Sequence, residues 1–118
     1  MSKEGIVAEM CPERPTACDT LVALFEPAKY RVIYRSSLDL SKPYDRSFLL
    51  HELVHVLQFK ARGPGIFFTC KERVAVEREA YFIQDRYLAE SGLEIRVRGA
   101  LRFMRCPEEP AQGATVTN

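Results

Sequence analysis

The segment from Asp45 to Ala61 (DRSFLLHELVHVLQFKA) sets the strongest constraint on how this chain folds. Its apolar positions Phe48, Leu49, Leu50, Leu53, Val54, Val56, Leu57 and Phe59 fall on most sides of a helical wheel. A helix of that kind belongs at the centre of a domain, with other elements wrapped around it. Asp45 or Ser47 is of the right type to cap its start, and Gly63-Pro64-Gly65 stops it. A chain of 118 residues has room for one such domain.

The flanking segments supply the wrapping. Thr20–Phe25 (TLVALF) and Tyr30–Arg35 (YRVIYR) are short apolar, β-branched runs, and Glu26-Pro27-Ala28-Lys29 between them suits a turn. They read as a β-hairpin, although a helix over 20–25 fits the same apolar run. Downstream, Thr69 and Glu72 have capping-box spacing, and a helix follows from about Lys71 to Glu90. Val76, Ala80, Ile83 and Tyr87 form its expected buried stripe. Leu93–Val97 reads as strand or extended chain, and Ala100–Arg105 as a short helical turn. The expected fold class is α+β: a small antiparallel sheet or hairpin packed on a buried helix and a second helix antiparallel to it. The competing expectation is an all-helical domain. Residues 1–18 read as an irregular lead-in, 19–106 as the domain, and 107–118 as a flexible polar tail.

Composition narrows the function classes. Lys+Arg 17 against Asp+Glu 16 gives a net charge of +1, too even to argue for nucleic acid. The cluster Arg96, Arg98, Arg102 and Arg105 therefore reads as a solvated face. No apolar stretch approaches the roughly 20 residues that span a bilayer. The first ten residues lack the apolar core of a secretory signal, so the expected location is cytoplasmic, or exported after removal of a leader. Cys11, Cys18, Cys70 and Cys106 contain no C-x-x-C pair. They fit either free thiols in a cytosolic protein or the disulfides of an exported one.

The chemistry concentrates in His51-Glu52-Leu53-Val54-His55. Helical residues four apart share a face, so both imidazoles reach one ion, and Glu52 stands beside them to take a proton from water at the metal. Two neutral histidines suit zinc, which in a catalytic site takes a third protein ligand and leaves one position open. The chain has only two histidines, and both are spent here. Chance places two histidines four apart about once in 60 tries, and with Glu after the first roughly once in 600.

With no histidine left, the third ligand is expected to be a carboxylate of the second helix. Taking about 100° per residue, Glu77 lies roughly 60° from Ala80, near the centre of the buried stripe, and Glu79 roughly 100° away on the other side. Glu77 is favoured and Glu79 stays open. The expected metal set is His51, His55 and Glu77 around zinc, with Glu52 as the catalytic base.

HELVH on one helix, with Glu77-Arg-Glu-Ala80-Tyr81 on the next, resembles the gluzincin metallopeptidases, the thermolysin-like clan, and is most similar to their small bacterial members. The resemblance covers about residues 20–90. It implies that the motif histidines and Glu77 bind zinc and that Glu52 is the general base of a peptidase. The second motif often reads Glu-x-x-Ala-Asp; here Tyr81 stands in place of the Asp. Tyr81, Tyr87, Arg78 and Arg86 are of the right type to steady an oxyanion. A peptide or protein substrate could pair with the 30–35 strand, were it a sheet edge. Phe67-Phe68 reads as core anchor or substrate-lining loop. The alternative function is a zinc-stabilised binding or regulatory module without turnover.

Overall fold

A computed structural model describes residues 1–10 and 21–107, at 7–10 the backbone alone. The fold is α+β, with α1 Lys3–Met10, strand β1 Ala23–Glu26, strand β2 Arg31–Tyr34, α2 Pro43–Arg62 and α3 Cys70–Glu90. Short 3-10 turns at Pro27–Lys29, Pro64–Phe67 and Arg98–Phe103 connect or follow them.

The strands form a two-stranded antiparallel hairpin in which Leu24 faces Ile33 and Phe25 faces Val32. Tyr30 closes its turn in the left-handed region at φ 49°, with its N–H on the Pro27 carbonyl. No helix forms over 21–26. The hairpin lies on α2 through an aromatic cluster: Phe25 meets Phe59 edge-on at 5.6 Å between ring centroids, and Phe67 stacks on Phe59 at 6.3 Å. Such pairs add about 0.5–1.5 kcal/mol each beyond the area they bury.

Helix α2 starts earlier than its polar residues indicate. Pro43 occupies the first turn behind an extended Lys42, so neither Asp45 nor Ser47 is the cap. Asp45 instead accepts the Asp39 N–H at 2.8 Å. At the other end Gly63 adopts φ 82° and donates to the Phe59 carbonyl at 2.7 Å. The buried residues of α2 also differ from the apolar expectation. They are Ser47, His51, Val54, His55 and Gln58, whereas Leu53 and Leu57 are 45% and 67% exposed. The face turned inward is mostly polar, because α3 supplies partners for it.

Helix α3 runs antiparallel to α2: Arg46 donates to the Tyr87 hydroxyl near one end and Arg62 to Glu79 near the other. Thr69 caps it by accepting the Glu72 N–H, while its own hydroxyl donates to the Glu72 carboxylate. The buried line is Val76, Ala80, Gln84 and Leu88, not one continuing through Ile83 and Tyr87. Gln84, fully buried, displaces them because it bonds to α2.

The N-terminal segment departs from an irregular lead-in, since residues 3–10 are helical. Ile6 is 1% exposed and anchors the helix, and the Ser36 N–H donates to the Met1 carbonyl. Among the side chains described in this helix, Ile6 is the buried one. Residues 11–18, and the tail beyond 107, lie outside the described residues. Residues 93–97 form no strand; Asp85 on α3 accepts the Val97 N–H at 2.6 Å. Cys70 and Cys106 are joined in a disulfide that fastens this C-terminal arm to the start of α3. Among the described residues, no helix is long and apolar enough to cross a membrane.

Candidate metal centre

The inward faces of α2 and α3 bring together the residues the motif singled out. His51 Nε2 and His55 Nε2 each lie 2.7 Å from one oxygen, Glu77 Oε1. The rings sit one turn apart, with centroids 4.8 Å from each other. Both histidines are buried, at 5% and 6% exposure. Glu79 is not at this point: its carboxylate faces outward, taking Gln58 Nε2 at 2.7 Å and Arg62 at 3.0 Å.

Two glutamines determine which ring nitrogens are available. His51 Nδ1 lies 2.9 Å from Gln84 Oε1, and His55 Nδ1 lies 2.7 Å from Gln58 Oε1. The amide orientations follow from their other contacts. Gln58 Nε2 donates to the Val76 carbonyl, which can only accept. Gln84 Nε2 donates to Ser47 Oγ at 3.0 Å, whose hydroxyl proton is committed to the Tyr44 carbonyl at 2.6 Å. Both glutamine oxygens therefore point at the rings, and each Nδ1 carries the proton. In a neutral imidazole that leaves a lone pair on Nε2. Two lone pairs and a carboxylate oxygen then converge on one place, an arrangement that only a cation or added protons satisfy.

The electrostatics agree. Burial would raise the Glu77 carboxyl, but hydrogen bonds from His51 and His55, which need the added protons on Nε2, outweigh it and hold the group down at about 2. Burial would lower His55, yet the hydrogen bond and charge of Glu77 leave it above the ordinary imidazole value. Two nitrogens and one carboxylate oxygen with a clear approach from one side fit zinc's preferences, whereas an all-oxygen set would suit calcium or magnesium.

Glu52 is tied to the hairpin. Its Oε1 accepts the backbone N–H of Phe25 at 2.8 Å. Burial pushes its carboxyl above the ordinary range, with the neighbouring histidines acting in the other direction. Its carboxylate and the two histidine nitrogens lie within 4.8 Å of one another.

A cleft of about 540 Å³ opens over these groups, bounded by β1, α2, Phe67 and α3. The strand at its edge is β1 rather than the 30–35 strand. The Val22 carbonyl accepts the Arg35 N–H, so residues 22, 24 and 26 bond across the hairpin, and Ala23 and Phe25 turn their backbone groups outward. Phe67 packs on Phe25 and lines the cleft, while Phe68 is 74% exposed. Of the four candidate oxyanion donors, only Tyr81 lines the cleft, its ring 4.4 Å from that of His51. Tyr87 accepts from Arg46, and Arg86 pairs with Glu90 on the surface. Burial first, then the charges of Glu77 and Glu52, raise the Tyr81 hydroxyl.

The Nδ1 partners were missed by sequence reasoning. Gln58 lies three residues after His55 and Gln84 seven after Glu77, so each falls on the same helical face as its ligand. That spacing was the available signal.

The sequence profile of a domain of unknown function, DUF6647, matches residues 3–106, and the chain belongs to that family. Comparison with curated proteins and with solved structures gives no match.

Proposed function

We propose that this DUF6647 domain is a zinc-dependent hydrolase, a minimal gluzincin-like peptidase. The observation that carries the reading is the meeting of His51 Nε2 and His55 Nε2 on one Glu77 oxygen, with Glu52 beside them. His51, His55 and Glu77 would hold the ion, and Gln84 and Gln58 fix the two imidazoles in the binding tautomer. When bound, zinc supplies a Lewis acid that makes water nucleophilic near neutral pH and polarises a peptide carbonyl.

The remaining steps fall to the chain's own residues. Glu52 accepts the proton of the attacking water and returns it to the departing amine. Its elevated carboxyl suits both directions of that transfer, because a base titrating closer to neutrality also serves as an acid. Tyr81 supports the reading as a hydroxyl donor on the cleft wall. Among the described residues no strand pairs with the outer edge of β1, where Ala23 presents its N–H and carbonyl and Phe25 its carbonyl, a template for an extended peptide. The apolar lining from Leu21, Val22, Phe48 and Val76 favours a substrate with apolar side chains.

A mixed peptide library incubated with the zinc-loaded protein tests this. Cleavage that falls by about 10²–10⁴-fold in Glu52→Gln is expected. No cleavage under any metal condition would favour a binding or regulatory module built on the same ligands.

A further inference from the structure

Arg73 is the one Lys or Arg among the described residues lining the cleft. It lies on α3 one turn before Glu77, which places the two side chains on the same face, with Cβ atoms about 5–6 Å apart. One arm of its guanidinium, Nη1, donates to the carbonyls of Phe67 and Phe68 at 3.0 and 3.4 Å, which fixes the group at the Phe67 end of the cleft. Those contacts use one of three nitrogens and leave Nε and Nη2 as donors. No carboxylate among the described residues pairs with it, whereas Arg62, Arg86 and Arg98 each have one. Arg73 is itself exposed, and Phe25, Phe67 and Val76 also line the cleft, so a ligand lying along that apolar lining can reach its charge from the open side.

We propose that Arg73 is the specificity residue of the cleft and takes a carboxylate carried by the bound peptide. The inference rests on the peptidase reading and names its substrate class: peptides with a carboxylate within about two residues of the reacting carbonyl. An extended chain rises about 3.3–3.6 Å per residue, and a helical turn separates Arg73 from Glu77, which sets that reach. A guanidinium with two donors on one edge matches a carboxylate in bidentate fashion, where a lysine would offer a point charge. The carboxylate could be the C-terminus of the peptide or an Asp or Glu side chain.

Three peptides of one apolar sequence separate these sources: one with a free C-terminus, one amidated, and one amidated but carrying a single Glu. Their binding to the zinc-loaded Glu52→Gln protein is measured by calorimetry, and their cleavage by the zinc-loaded wild type in parallel. At least one carboxylated peptide is expected to bind about tenfold more tightly than the neutral one. Arg73→Gln should abolish that difference without weakening the neutral peptide, and Arg73→Lys should keep part of it. The unchanged neutral peptide shows that the Phe67 loop remains in place. Equal binding of all three peptides, no binding of any, or a preference that survives in Arg73→Gln overturns the assignment; the last would mean that the ion itself takes the carboxylate. Charge-dependent binding without cleavage would leave Arg73 standing and defeat the peptidase reading. Cleavage without charge preference would do the reverse.

Discussion

The backbone N–H of Phe25 donates to Glu52 Oε1 at 2.8 Å, joining the side of β1 turned away from β2 to the acidic residue of the HELVH helix. The bond links residues 27 apart in sequence, and it occupies one carboxylate oxygen of a residue that lines the cleft. The strand that would receive a peptide thus also positions the proposed base.

The same bond makes the cost of that carboxylate measurable in the metal-free protein. Burial raises the Glu52 carboxyl above its ordinary 4.5. A group raised on folding contributes stability below its unfolded value and loses it as the pH climbs through the folded one. At neutral pH the buried charge is therefore a liability. Glu52→Gln keeps an oxygen for the Phe25 N–H and removes the charge. The variant should melt higher than the wild type at pH 7 and no higher at pH 4. A lower melting midpoint at pH 7 would contradict this.

Glu77 and Glu79 should separate cleanly. Glu77→Gln removes the negative charge at the histidine pair and leaves a neutral amide, and zinc binding should fall by at least 100-fold in a chelator competition. Glu79 is about half-exposed and, among the described residues, bonds Gln58 and Arg62. Glu79→Gln should change zinc affinity less than threefold and stability by less than about 1 kcal/mol. Reversed effects would move the ligand assignment to Glu79.

The glutamines should matter without touching the ion. Gln84→Leu removes the acceptor for His51 Nδ1 and leaves the Ser47 hydroxyl without its amide donor; Gln58→Leu does the same to His55. Loss of such partners costs about 10–100-fold in metal affinity. Chelator titrations of both variants, with circular dichroism to confirm the fold, check it. Wild-type affinity in both would show that the helices alone orient the rings.

How far these groups could be read from sequence depends on what each signal measures. Histidines four apart with an intervening Glu announce themselves, because few other patterns place two imidazoles and a carboxylate on one face. The angle between Glu77 and Ala80 was enough to prefer Glu77 over Glu79, and the structure places Glu77 at the histidines. Periodicity failed where burial is polar. It sorts residues by hydropathy, so it turned Leu53 and Leu57 inward and overlooked Gln58 and Gln84, which α2 and α3 bury against each other. The choice of β1 over β2 as the cleft edge depends on how the hairpin docks on α2, which no local pattern encodes.

Protons and zinc should compete for the site. The Glu77 hydrogen bond and charge, outweighing burial, hold His55 above its ordinary 6.5, and Glu77 itself sits at about 2. In the metal-free protein the Glu77 contribution is present above about 4.5 and fades as the pH falls toward 2. The His55 contribution is present below about 6.5 and fades as the pH rises past its elevated value. Zinc requires the neutral imidazole, so binding expels the His55 proton. Apparent affinity should rise with pH up to about tenfold per unit for each proton released, until His55 has titrated. Calorimetry in buffers of different ionisation enthalpy reads the release directly. An affinity independent of pH from 6 to 8 would rule it out.

The disulfide should stabilise the domain without tuning the site. Cys70 and Cys106 close a loop of sequence separation 36, pinning the arm that Asp85 also holds through the Val97 N–H. Removing a cross-link over a loop of that length costs about 2–4 kcal/mol, chiefly by freeing the unfolded chain. The Cys70→Ser, Cys106→Ser double variant should therefore unfold at clearly lower urea than the wild type, with a similar slope. Cys70 stands two helical turns from Glu77, and none of the bonds around His51 and His55 passes through the arm. Zinc affinity in the double variant should stay within about twofold of wild type at pH 7, well short of the 10–100-fold expected for loss of a ligand's hydrogen-bond partner. Overlaid urea curves would show that the arm is held without the bridge. A fall in metal affinity beyond tenfold would show that the start of α3, and Glu77 with it, depends on the cross-link for its position.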